Sequence, residues 1–295
     1  MYRKNVSVIL TAFNGAAFIE KQIESILKQN VLPSEIIICD DNSTDGTVSV
    51  LNTFIKNELI KVFANDKRLG VVENFKKAAK LARPGNWLVF ADQDDIWAPQ
   101  KLNKLIGEMQ FLDDGFTPAL IYSDLAVIDE NDTVISGSFW AAQKIRPEKI
   151  SLSTLLYGNV VTGCTIMINY SMAEEFFCMD NCNFLHDEWM ALIAYSFGKA
   201  KFLRDKLVFY RKHQSNVTFS DDYKVPGFKD ALKADFNYLS GKKGFLGHEF
   251  DLAKAFLLNY RNKLSSKQIN IIEHFINQEN KNYLIQRIKR RITFI

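Results

Sequence analysis

No run in this chain approaches the roughly 20 apolar residues that a membrane-spanning helix needs. Met1-Tyr2-Arg3-Lys4 leads straight into a short apolar run, so no secretory leader is expected. Charge of one sign is also missing: 37 basic and 34 acidic residues leave a net +3, too balanced for nucleic acid to be the main partner. Cysteine is scarce, at four residues. Cys39 and Cys164 sit in apolar, strand-like runs, where a reduced thiol behaves as a small hydrophobe. Cys178 and Cys182 flank Met-Asp-Asn at a spacing that matches no strong zinc pattern, and they read as structural thiols in a reducing, cytoplasmic compartment. No Gly-x-Gly-x-x-Gly opens the first helix, which disfavours an oxidoreductase on a dinucleotide fold. No Gly-Lys-Ser/Thr loop is present either, so any bound phosphates must be held by metal ions and basic side chains. No internal repeat or low-complexity segment appears.

What is present is a regular alternation. Val6 to Leu10 reads as a buried strand, and Asn14-Gly15 as a turn. Phe18, Ile19, Ile23, Ile26 and Leu27 recur at helical spacing, which predicts a helix over 16–29 ended by Pro33. Ile36-Ile37-Ile38-Cys39 is a second strand, followed by a helix carrying Val48, Leu51 and Ile55. Lys61 to Ala64 is a third strand, Val72 to Ala82 a helix, and Leu88-Val89-Phe90-Ala91 the central strand. Pro99 marks a helix start, with Leu102, Leu105, Ile106, Met109 and Leu112 on one face. This βαβαβαβ order predicts an α/β fold with a mostly parallel sheet. Further on, strands are expected at 119–123, 132–138, 165–168, at Phe202 and at 207–210, and helices at 186–197, 227–240, 246–263, 266–277 and 279–292. The polar stretch 216–225 is a plausible domain edge, so residues 1–220 are expected to form a catalytic domain and 221–295 a helical extension.

The chemistry concentrates where strands end. Asp40-Asp41, then Asp92, Asp94 and Asp95, then Asp124 lie at or near the C-termini of expected strands. Open α/β sheets bind ligands at that edge. So many carboxylates there are costly unless cations or ligand groups neutralise them, and a nucleoside diphosphate carrying a divalent metal does so. Oxygen ligands suit magnesium or manganese. An isolated Asp-x-Asp is as readily a solvated, helix-capping turn.

Three ordered motifs carry a resemblance over roughly residues 5–215: Ser7 to Asn14, Asp40-Asp41-Asn42-Ser43-Thr44-Asp45-Gly46-Thr47, and Asp92-Gln93-Asp94-Asp95. The chain resembles the family 2 inverting glycosyltransferases of GT-A fold. Phe-Ala-Asp-Gln-Asp-Asp-Ile-Trp, with His186-Asp187-Glu188-Trp189 and Tyr210-Arg211-Lys212-His213, is similar to the rhamnosyltransferase-like branch. Phe13 stands where the commonest pattern has tyrosine, and Asn42 where it has glycine. The resemblance implies donor binding through Thr11, Phe13, Asn14, Asp41, Arg68, Asp92 and Gln93. Phe13 would stack on a pyrimidine, or be an ordinary core aromatic; Asp41 would accept from the pyrimidine N3–H, or cap a helix; Arg68 would reach the phosphates, or be a solvated surface residue. It implies metal binding by Asp94 and Asp92 with His213, for Mn2+ or Mg2+. Asp187 is the implied base that takes the acceptor proton, with Glu188 the alternative, although acids at a helix start also simply favour the dipole. Arg211 is a second implied phosphate contact, and Trp189 packs on a sugar or in the core.

The implied function is inverting transfer of a sugar from a nucleotide-diphosphate donor, dTDP-rhamnose or a UDP-hexose, to a glycan or lipid-linked acceptor in bacterial surface polysaccharide synthesis. A non-catalytic sugar-nucleotide or glycan-binding module is the rival, and the retained acidic triplet and Asp187 argue against it. At the C-terminus Lys281, Arg287, Lys289, Arg290 and Arg291 interleave with Leu284, Ile285, Ile288 and Ile292. That pattern fits a helix on an anionic membrane surface, at the inner face of the cell membrane, and equally a helix packed on the catalytic domain.

Overall fold

Runs of isoleucine, valine and leucine lay four parallel strands side by side. The computed structural model describes residues 5–179, 183–213, 216 and 246–279. In chain order the elements are β1 (Val6–Ala12), α1 (Ile19–Leu27), β2 (Glu35–Asp40), α2 (Thr47–Phe54), β3 (Ile60–Ala64), α3 (Val71–Leu81), β4 (Trp87–Asp92), β5 (Ile96–Trp97), α4 (Lys101–Leu112), β6 (Ala119–Ile128), β7 (Val134–Ser136), α5 (Phe139–Ala142), α6 (Leu152–Leu155), β8 (Met167–Ile168), α7 (Tyr170–Phe177), α8 (His186–Ser196), β9 (Lys199–Arg211), α9 (Gly247–Tyr260) and α10 (Ser266–Ile276). The sheet order is β3-β2-β1-β4-β8-β6-β9-β5, with β7 added on β6.

The long registers are parallel: β1 with β2 and β4, β2 with β3, and β6 with β9. The pairings of β8, β5 and β7 are short and antiparallel. Strands covered on both faces read as unbroken apolar runs, and Val8, Ile9, Leu10, Ile36, Ile37, Ile38, Val89 and Phe90 are indeed fully buried. Each such side chain contributes about 1.5–3 kcal/mol relative to exposure. The parallel register also decides where the chemistry falls. Thr11 pairs with Cys39 on one side and Asp92 on the other, and Asp40 pairs with Ala64. The loops after β1, β2, β3 and β4 therefore leave from one edge of the sheet.

Four expectations need correction. Asp124 does not end a strand: β6 runs through it to Ile128, and the residue sits where the β6–β9 register shifts. Its carboxylate is satisfied there by the Leu125 N–H (2.8 Å) and the Ser138 hydroxyl (2.5 Å). Phe202 and Leu207–Tyr210 belong to one continuous strand, β9. The expected strand 165–168 is mostly a 3-10 turn, Gly163–Thr165, with only Met167–Ile168 in the sheet. Helix α7 was not expected; Asn169 caps it by accepting from the Met172 N–H at 3.0 Å.

The chain divides into two compact units, residues 1–139 with 161–211 and residues 140–160 with 212–295. The first holds the whole sheet. In the second, α6, α9 and α10 surround Tyr157, Phe250 and Phe275, whose rings meet at 4.7–4.9 Å. The helices expected at 227–240 and 279–292, the basic C-terminal residues and Cys182 lie outside the described residues. Cys39, Cys164 and Cys178 are free thiols.

Candidate active site

At the end of β1 the chain turns, and the turn is held from across the sheet. The Gln93 side chain acts as a surrogate peptide: its Oε1 accepts from the Phe13 N–H at 2.8 Å and its Nε2 donates to the Phe13 carbonyl at 2.9 Å. The amide lies against Gly15, where a Cβ would come within 2.1 Å of Oε1. Asn14 has φ +50°; its side-chain oxygen accepts from the Thr44 N–H, and its own N–H donates to the Ser43 hydroxyl. Phe13 is half-buried, with the Arg68 guanidinium 3.8 Å from the centre of its ring. The structure thus places Arg68 on the aromatic platform.

Asp41, after β2, is buried and fully employed on one side. Its Oδ1 accepts from Asn65 Nδ2 (2.8 Å) and the Leu69 N–H (2.7 Å), and its Oδ2 from the Gly70 N–H (2.8 Å). The carboxylate therefore shapes the loop that carries Arg68. A carboxylate oxygen takes two hydrogen bonds, so Oδ2 retains capacity for one donor from a ligand.

The acidic turn after β4 is fastened at both ends, since Ile96 and Trp97 return as β5 and pair with Phe209 and Val208. Asp92 and Asp94 are half-buried and Asp95 is fully buried. Burial, then the Asp94 charge, push the Asp92 carboxyl up to about 7, against the pull of Lys101. Burial, Asp94 and Asp92 raise Asp95 well above the carboxylate range. Asp95 Oδ1 accepts from the Arg211 N–H at 3.1 Å, and among the described residues Oδ2 has no hydrogen-bond partner. Arg211 is buried and structural: Nε donates to the Asp94 carbonyl, Nη1 to those of Asp129 and Glu130, and Nη2 pairs with Asp132 at 2.5 Å. It wires the turn to the β6–β7 hairpin.

A cation-binding test follows from the donors. Carboxylate oxygens of Asp92 and Asp95 and the Cys164 sulfur lie within 4.8 Å of one another. That inner group faces the buried Lys101 side chain, which burial lowers to about 7, and burial raises the Cys164 thiol so that it stays protonated. A hard divalent ion prefers oxygen ligands, the kind that Asp92 and Asp94 carry.

On the acceptor-side motif, Asp187 is buried at the start of α8. Its Oδ2 accepts from the Gly163 N–H (3.0 Å) and its Oδ1 from the Glu188 N–H (2.8 Å). Burial, then Glu188, with a smaller push from Asp92, raise its carboxyl to about 8 in spite of those bonds. Glu188 is half-exposed and caps the helix, accepting from the Leu185 N–H at 3.2 Å. His186 packs among Phe75, Phe90 and Phe176, where burial lowers it to about 3 and keeps it neutral. Trp189 stacks on Phe184 in the core. His213 belongs to the second unit, where its N–H donates to Asn216 Oδ1 at 2.6 Å.

Residues 7–177 match the family model described as Glycosyl transferase family 2. The chain is 30% identical over 193 residues to the UDP-Glc:alpha-D-GlcNAc-diphosphoundecaprenol beta-1,3-glucosyltransferase WfgD of Escherichia coli, over 64% of this chain and 69% of that protein. It is 24% identical over 277 residues to the dTDP-rhamnosyl transferase RfbG of Shigella flexneri, over 81% of this chain and 90% of that protein. The mannosyltransferase PcManGT from Pyrobaculum calidifontis, solved with GDP-Man and Mn2+, superposes with a TM-score of 0.57 at 17% identity, covering 99% of this chain and 74% of that one. That likeness is one of fold, the GT-A fold.

Proposed function

Because the chain belongs to glycosyl transferase family 2, we propose that it inverts the anomeric centre of a nucleotide-linked sugar while moving it to a lipid-linked saccharide of bacterial surface polysaccharide synthesis. The donor class is a UDP-hexose or dTDP-rhamnose, the donors named for the two relatives above. The observation that carries the reading is Asp187: a buried carboxyl in electrostatic reach of the donor-side Asp92, raised to about 8. A base poised near the working pH takes a proton most effectively.

In this reading the base of the nucleotide packs on Phe13, and the pyrimidine N3–H donates to the free capacity of Asp41 Oδ2. Thr11 and Asn14 border the donor. Arg68 leaves the ring face for the phosphates or sandwiches the base. The Asp187 carboxylate takes the acceptor hydroxyl proton, the acceptor oxygen bonds to the anomeric carbon, and the opposite carbon–oxygen bond breaks with its electron pair leaving on the nucleoside diphosphate. A divalent cation held by Asp92 and Asp94, when bound, neutralises charge on that leaving group. Incubation with labelled donors, manganese and a diphosphate-linked saccharide tests the reading; donors left intact across the whole panel would sink it.

A pH dependence follows. Asp187 must be ionised to act, and its folded value lies above the ordinary carboxylate range, so kcat/KM should rise with pH up to about 8 and level off above. A flat profile between pH 6 and 8 in roughly half-unit steps would contradict the assignment. We also propose peripheral membrane contact through the basic residues near 281–291. Each contributes on the order of 1 kcal/mol near an anionic surface. Co-sedimentation with anionic vesicles should appear at low salt and fade at high salt, and its absence at low salt ends that idea.

A further inference from the structure

Lys101, in the first turn of α4, buries its entire side chain beneath the acidic turn. Its Nζ lies 3.5 Å from the centre of the Trp97 ring and donates to the Cys164 carbonyl at 2.6 Å. An unmatched ammonium in the interior costs several kcal/mol. Here burial lowers the lysine to about 7 although Cys164, Asp95 and Asp92 pull the other way, and the Cys164 carbonyl accepts its hydrogen bond. Cys164 is the middle residue of the 3-10 turn Gly163–Thr165. One residue earlier, the Gly163 N–H donates to Asp187 Oδ2 at 3.0 Å. The turn has little room to shift. Thr165 bonds back to the Thr162 carbonyl through both its N–H (2.9 Å) and its hydroxyl (2.7 Å). A Cβ on Gly163 would come within 3.0 Å of His186 Nε2 and 3.6 Å of Asp187 Oδ2.

We propose that Lys101 is a positioning residue for the transfer: by anchoring the Cys164 carbonyl it fixes the Gly163 N–H that aims the Asp187 carboxylate, joining the acidic turn to the base through two hydrogen bonds. The inference rests on the assignment of Asp187 as the base. Around Lys101 the charged and titratable neighbours are Asp92, Asp95 and Cys164; around Asp187 they are Glu188, Asp92 and the neutral His186. Since the lysine never meets the substrate, its loss should misplace the base and leave the nucleotide platform of Phe13 and Asp41 intact.

Lys101→Met keeps the length of the stem and removes the ammonium; Lys101→Gln keeps a donor on a shorter arm. In the full-length protein, Lys101→Met should lower kcat on the order of a hundredfold, the scale of a misplaced reacting group, with donor KM nearly unchanged. The Gly163 amide resonance in a nitrogen-15 spectrum of the ligand-free protein should move. Lys101→Gln should restore part of both. Wild-type kcat in Lys101→Met, or a loss of kcat with the Gly163 resonance in place, overturns the proposal. A loss confined to donor KM and metal dependence overturns it as well, because it puts the lysine's action on the acidic turn alone. Failure of the transferase reading looks different: the wild type then turns over no donor, while the Gly163 resonance still reports whether Lys101 holds the turn.

Discussion

Asp187→Asn is expected to bind nucleotide normally and to lose about a hundred- to ten-thousand-fold in transfer rate, the usual contribution of a positioned base. The amide keeps the size of the side chain and cannot accept the acceptor's proton. It also cannot reproduce both backbone contacts. One oxygen serves either the Gly163 or the Glu188 N–H, which the carboxylate satisfies together. Leaving one buried donor unmet costs about 1–3 kcal/mol, so a lower melting temperature accompanies the lost activity, and calorimetry with UDP or dTDP separates the two effects. Glu188→Gln is the control, because an amide oxygen can still accept from the Leu185 N–H that Glu188 holds. Full activity in Asp187→Asn with loss in Glu188→Gln would move the base by one residue.

Asp94→Ala should abolish the manganese-dependent part of nucleotide binding and leave the fold in place. The turn is held through the backbone, since it is the Asp94 carbonyl that accepts from Arg211 Nε at 2.9 Å, while β5 pairs on its far side. The substitution also removes a charge that raises both Asp92 and Asp95, so those two should ionise more readily in the variant. A fall in affinity with manganese larger than the about 10–100-fold typical of outer-sphere partners, with no change in chelator, is the expected result. Equal manganese dependence in a folded Asp94→Ala protein would transfer the metal to Asp92 and Asp95 and leave Lys101 with no place beside them.

The sheet edge was legible in the sequence because parallel strands buried on both faces read as unbroken apolar runs, and each of the first four ends where polar residues begin. β9 was not legible as one strand. Its lysines and arginines alternate with apolar residues, and only Leu207 to Tyr210 look buried. Asp124 misled for the opposite reason: a charge in an apolar run reads as a strand end, whereas a bulge and a nearby hydroxyl accommodate it within β6. Among the site residues, the motifs marked Asp41, Asp92, Asp94 and Asp187, but the partners that give each its character come from loops far along the chain. Gln93, a donor contact in the resemblance, holds Phe13 by its backbone. Arg211, a phosphate contact in the resemblance, is buried and bonds the Asp94, Asp129 and Glu130 carbonyls. Lys101 carries no signal at all: a lysine at a helix start reads as a solvated charge, and only the packed structure shows it under the acidic turn.

The central claim is a direct displacement at the anomeric carbon with Asp187 as the base. Its most direct test is the anomeric configuration of the product formed from UDP-glucose or dTDP-rhamnose on a diphosphate-linked saccharide with manganese, read by the proton coupling at the new glycosidic bond. The account predicts inversion relative to the donor in the wild-type protein, with product from Asp187→Asn formed at least about a hundredfold more slowly under the same conditions. A product that retains the donor's configuration, or one formed at the wild-type rate without Asp187, would contradict it.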